Sequence, residues 1–150
     1  MQQQLKKRSL GQWAMFGEAW ILLHVSRLAI LLLPFRSLAP LMGREREEAI
    51  EDTCDQLDVL EIKLAIDRAT RRTLFNSRCF DQALTAASML RRRKKSATLY
   101  LGVLQQDGKL SAHAWVSAGK SIITGSRGLH RHTPVAHYRI SGPVYKSTAP

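Results

Sequence analysis

Cys79 and His113 are the one pairing in this chain whose residue types could carry out nucleophilic chemistry. Cys79 opens the run Cys79-Phe80-Asp81-Gln82-Ala83-Leu84, which keeps helical spacing as far as Leu90. His113 lies on a later, strand-like segment, Ala112-His113-Ala114-Trp115-Val116. The thiolate is the attacking form of cysteine, and a helix N-terminus favours it through unpaired N–H groups and partial positive charge. An imidazole within reach would complete a thiol nucleophile and its base. A histidine beside a tryptophan on a strand is, by itself, more often packed than catalytic. The upstream cysteine is what gives His113 a role.

The elements that must hold these two groups follow from periodicity. Ser9 is placed to cap a long helix running to about Leu33 and ended by Pro34, and its last turns are apolar all round. Packing across the protein's own core is the favoured reading of that helix; docking to a partner or lying on a membrane surface is the alternative. From Phe35 to Gly43 the chain is expected to turn, with Pro40 and Gly43 as punctuation. A charged stretch from Arg44 to Asp55 and a more aliphatic one from Leu57 to Leu74 read as one helix or two, with Leu57, Leu60 and Leu64 as the inward stripe and Ile62 and Ile66 widening it. Asn76-Ser77 then separates this region from the Cys79 helix. After the basic cluster Arg91 to Lys95 the period changes to two. Ala97 to Leu104 and Leu110 to Ala118 form a hairpin around Asp107-Gly108. Ser121 to Thr124 and Pro134 to Ile140 are further strands. The fold class is therefore α+β: N-terminal helices (residues 1–75) followed by a catalytic core with a small antiparallel sheet of about four strands (residues 76–150), the two forming one integrated domain.

Composition limits the function. The chain has 150 residues, 45% of them hydrophobic, which suits one domain with a modest core. Its formal net charge is +11, and most of its twelve acids lie between Glu45 and Asp67, so the chain from Arg68 onward is strongly basic. That asymmetry favours an anionic partner. The run Arg91 to Lys95 is sufficiently explained as complementing a helix C-terminus, and no nucleic-acid motif accompanies it. Cys54 and Cys79 form no CxxC pair and no zinc pattern, so neither metal nor cofactor is expected. Glu18, His24 and Arg27 interrupt the apolar N-terminal run, and its longest unbroken stretch, Leu28 to Phe35, is short for a spanning helix. A cytoplasmic protein is the expectation.

A cysteine at a helix N-terminus followed by an antiparallel sheet bearing histidine is the layout of papain-like and transglutaminase-like active sites. More narrowly, the helix start at Cys79 to Leu84, the strand Tyr100-Leu101-Gly102-Val103 and the string Ala112-His113-Ala114-Trp115-Val116 resemble the lasso-peptide maturation proteases, transglutaminase-like leader peptidases. The likeness is best over residues 68 to 125, and residues 9 to 43 resemble that family's N-terminal region. The resemblance implies a cytoplasmic cysteine protease, with Cys79 as nucleophile and His113 as general base, that removes the leader from a ribosomally made precursor. It also implies a companion lasso cyclase. The length leaves no room for a leader-recognition domain, so a separate leader-recognition protein is expected, with this chain as the protease half of a split system.

One departure from the family stands out. An aspartate on the strand after the histidine completes the family's triad, whereas Ser121-Ile122-Ile123-Thr124-Gly125 holds no carboxylate. A two-residue turn at Ala118-Gly119 would set Thr124 opposite His113, where its hydroxyl could orient the ring. Otherwise the site works as a dyad, a backbone carbonyl or loop residue orients the ring, or the enzyme is impaired. The backbone N–H of Cys79 is the expected oxyanion donor, with Asn76 a candidate second. The competing function is a non-catalytic basic module that binds nucleic acid or another anion, with the Cys/His pair a coincidence.

Overall fold

The computed structural model describes residues 9–45 and 55–140. The charged stretch around Cys54 and the basic tip Gln2 to Arg8 lie outside the described residues. The described residues form four helices, α1 (Leu10–Leu32), α2 (Phe35–Met42), α3 (Gln56–Thr70) and α4 (Cys79–Arg92). The strands are β1 (Arg44–Glu45), β2 (Ala97–Gln106), β3 (Lys109–Ala118), β4 (Ser121–Thr124) and β5 (Thr133–Ile140), with a 3-10 turn at Leu129–Arg131. They form one antiparallel sheet in the order β1-β5-β2-β3-β4. The α+β reading holds, and the sheet gains a fifth strand because Arg44 and Glu45 pair with Arg139 and Tyr138.

α4 is the central element. It touches α1, α2 and α3 as well as β2, β3, β4 and β5. Ala83, Ala86 and Ala87 let its neighbours approach closely, while Leu84, Met89 and Leu90 fill the core around them. α1 begins as its sequence dictates, with Ser9 Oγ accepting from the Gln12 N–H. By length and composition α1 could cross a membrane. Its polar side chains are nevertheless used within the fold. Ser26 Oγ meets Thr85 Oγ1 at 3.3 Å, the Trp20 indole donates to the Arg72 carbonyl at 3.0 Å, and Arg27 approaches Asp81 at 3.8 Å. Only Ala19, Leu23 and Ser26 of α1 are buried, so the helix packs on the core by a narrow stripe and leaves Ile21, Val25, Leu28 and Leu32 exposed.

Two local expectations are corrected. Residues 35–42 form a helix rather than a turn: Leu38 and Met42, one turn apart, reach the core, while Pro40 occupies the outward side. In α3 the inward face is Val59, Ile62, Ala65, Ile66 and Ala69, whereas Leu57, Leu60 and Leu64 face solvent. The leucines and the buried set both recur at helical spacing, and tertiary contacts decided between two adjacent stripes.

The basic run at the end of α4 works as a set of internal ties. Arg91 donates to the Leu41 carbonyl at 2.8 Å, Arg92 approaches Glu18, and Lys95 pairs with Asp58. Arg93 grips Glu18 through both guanidinium nitrogens, at 3.0 and 2.6 Å. This fork joins the end of α4 to the middle of α1. The hydrogen bond and charge of Arg93 hold the Glu18 carboxyl below its ordinary range, against a smaller opposing effect of burial. A carboxylate whose folded-state value is lowered stabilises the fold above its unfolded value, and that contribution is lost as pH falls through the folded one. Glu18→Gln is therefore expected to cost about 1 kcal/mol at neutral pH. In urea titrations the gap from wild type should close below the ordinary carboxylate range; a gap that persists in acid would contradict the ion-pair origin.

Candidate active site

Cys79 is the first residue of α4, preceded by Arg78 in extended conformation. The turn is fixed by Asp81, whose Oδ2 accepts the Arg78 N–H at 2.8 Å. The Arg78 side chain has no acceptor, so this cap runs in one direction only. Asp81 is almost fully buried beside Arg27, so its carboxylate serves the helix start. The first N–H groups of α4 lack intrahelical partners and lie beside the thiol. Cys79 is a free thiol, partly buried against the core.

His113 lies on β3 opposite Gly102 of β2. Its ring is set between Trp115, stacked at 5.8 Å between centroids, and His132, at 5.0 Å. Trp115 stacks in turn on Tyr100 at 5.4 Å. Gly102 is what makes room for this wall, since a Cβ there would come within 2.7 Å of the Trp115 ring. Nε2 of His113 lies 2.7 Å from the carbonyl oxygen of Gly125. A carbonyl can only accept, so Nε2 carries the proton and the lone pair of the neutral ring is on Nδ1.

Thr124 does not sit opposite His113. The tight turn is one residue later than expected: Ala118 pairs with Ser121 and Ser117 with Ile122, and a bulge then brings Thr124 opposite Val116. The extra residue turns both Ile123 and Thr124 inward, as their burial shows. Thr124 Oγ1 has no hydrogen-bond partner, and the group that holds the histidine is the backbone carbonyl of the next residue. Thr124→Val should therefore leave the pH–rate profile of a His113-dependent reaction unchanged; a displaced profile would return the ring-orienting role to the hydroxyl.

Cys79 and His113 line one cleft of ≈ 460 Å³. Lys63, Asp67, Thr70 and Arg71 of the α3 region, Gln82 of α4, and the segment Ile123 to Arg127 complete its walls. Among the described residues no hydrogen bond joins the thiol to the imidazole, as is common before substrate draws a catalytic pair together. Asn76 is exposed and does not line the cleft; Gln82, three residues after Cys79, does. Helical spacing puts residues 79 and 82 on one face, a signal the sequence already carried.

A family model described as transglutaminase-like superfamily matches residues 19–137, from within α1 to β5. The chain belongs to the transglutaminase-like superfamily. Comparisons with curated proteins and with solved structures find no match. The transglutaminase-like superfamily includes cysteine peptidases, and its members are commonly proteases or transferases that use a cysteine.

Proposed function

We propose that this transglutaminase-like protein is a cytoplasmic cysteine peptidase that removes the leader from a lasso-peptide precursor. The observation that carries the catalytic part is the shared cleft, with Cys79 at the start of α4 and His113 held by the Gly125 carbonyl. The choice of substrate rests on the likeness of the Cys79 helix and the Ala112 to Val116 string to the lasso-peptide maturation proteases.

In this reading His113 Nδ1 takes the thiol proton and Sγ of Cys79 attacks the carbonyl carbon at the leader–core junction. The N–H of Cys79 donates to the oxyanion that forms. Collapse breaks the C–N bond, and the proton on Nδ1 passes to the departing core amine. A water molecule, deprotonated by His113, then attacks the thioester, releasing the leader as a carboxylic acid and restoring the thiol. The freed core amine is the group that a lasso cyclase would join to a side-chain carboxylate. The Gly125 carbonyl provides no full negative charge, so it orients the imidazolium with less stabilisation than an aspartate would give.

The test is cleavage of a synthetic leader–core precursor, followed by mass spectrometry, with and without a separate leader-recognition protein. Tethering the leader raises the local concentration of the junction at Cys79, and a rate gain of about 10²-fold is expected. Equal rates with and without that partner would remove the split-system part of the proposal. No cleavage in either condition would remove the substrate assignment.

A further inference from the structure

The cleft that holds Cys79 is lined by three cations, Lys63, Arg71 and Arg127, against one acid, Asp67. Four cations elsewhere in the fold find carboxylates: Arg27 approaches Asp81, Arg92 and Arg93 hold Glu18, and Lys95 holds Asp58. Among the described residues, no ion pair or hydrogen bond is made by the side chains of the three cleft cations. Lys63 and Arg71 are eight positions apart along α3 and its cap, about 12 Å by helical rise, and Arg127 comes from the loop after β4. Positive charge therefore enters the cleft from two separate elements.

A second observation is independent of charge. The hydroxyl oxygens of Thr70 and Thr124 both belong to cleft-lining residues, and both are buried without a hydrogen-bond partner. Thr124 is only 5% exposed. A buried hydroxyl left unpaired is costly, and two along one cleft mark positions where a bound group would supply the missing partner. Hydroxyls can donate to an oxygen anion, and lysine and arginine form charge-assisted hydrogen bonds with a carboxylate.

We infer that the cleft selects a peptide carrying a carboxylate side chain close to the bond that is cut, with Lys63, Arg71 and Arg127 as its specificity-determining cations. The inference builds on the peptidase reading by naming the substrate class. A peptide with Asp or Glu there gains charge-assisted hydrogen bonds that its amide counterpart lacks, and a lysine at the same place is repelled. Asp67, one turn from both Lys63 and Arg71, limits the excess charge of these groups to two.

The test reads the cleft without requiring peptidase activity. In a Cys54→Ala background, which leaves Cys79 as the sole thiol, the second-order rates of alkylation by iodoacetate and by iodoacetamide are compared. In both reactions the thiolate displaces iodide to form a thioether, so the ratio of rates reports the preference for an anion at Sγ. The ratio is expected to exceed that of glutathione in the same buffer by about tenfold, and to fall with added salt. Lys63→Glu combined with Arg127→Glu should bring it to the glutathione value or below, with an unchanged circular dichroism spectrum showing that the fold is kept. A ratio equal to that of glutathione, or one that ignores both substitutions, would overturn the inference.

A second arm uses an alanine–glycine decapeptide with one central Glu, and its Gln and Lys counterparts, as protectants of Cys79 against iodoacetamide. Half-protection by the Glu peptide is expected at a concentration about fivefold below that for Gln, with Lys the weakest. Equal protection by the three would also overturn the inference. Loss of leader cleavage with the alkylation ratio intact would instead remove the peptidase reading and leave the anion preference standing.

Discussion

Replacing Cys79 with alanine, or His113 with alanine, is expected to abolish leader removal while leaving the fold intact. Cys79 is partly buried at a helix start, and the loss of a single sulfur opens little space in the core. His113 contributes one ring to an exposed-edged aromatic stack, in which Trp115 and Tyr100 remain paired without it. The catalytic loss should be about 10⁴-fold or more for each, because neither half of a thiol–imidazole pair works alone. The double variant should be no worse than either single one, since residues acting as a unit are not additive. Cys54→Ala should cleave at the wild-type rate. Single-turnover cleavage measured by mass spectrometry, with thermal melts in parallel, checks all four proteins. Wild-type cleavage by Cys79→Ala would end the assignment of nucleophile.

Gly125→Ala is the second large effect. Gly125 has a positive φ of 77°, and a Cβ there would lie 2.4 Å from the Ala114 carbonyl oxygen and 2.7 Å from the Trp115 Cβ. Neither neighbour can yield cheaply, because one is backbone of β3 and the other belongs to a buried ring. The segment must move, and with it the carbonyl that fixes the His113 tautomer. The left-handed conformation and the overlap together should cost about 2–4 kcal/mol of stability. A purely structural role would stop there. A positioning role predicts a further change at a temperature where the variant is fully folded: kcat falls by about 10²-fold with little change in KM. If kcat is preserved once folding is accounted for, the carbonyl does not position the histidine.

The helix start at Cys79 and the hairpin were legible in the sequence because local chemistry specifies both. A helix start preceded by Asn76-Ser77 placed Cys79, and Asp107-Gly108, both with positive φ, placed the turn between β2 and β3. The choice of support for His113, among Thr124, a backbone carbonyl and a loop residue, was not legible. It depends on a bulge opposite Val116 and on a glycine whose carbonyl crosses to a neighbouring strand, and neither leaves a mark in residue pattern. The same holds for the cleft cations. Lys63 and Arg71 read as ordinary members of a charged helix, and only the packing of α3 beside β4 turns their face toward the thiol.

The place of β5 in the sheet bears on how the chain is made. The last strand among the described residues is inserted between β1 and β2, and it bonds along much of the length of β2. A ribosome releases residues in order, so the helices and the β2–β3 hairpin emerge while one side of β2 still presents unpaired N–H and C=O groups. That bare edge persists until residues 133–140 have left the exit tunnel, and it is the kind of surface that recruits strands from other chains. The sheet therefore closes only once Thr133 to Ile140 have emerged, and a nascent chain stalled before Thr133 carries Cys79 and His113 on a fold whose centre is still open.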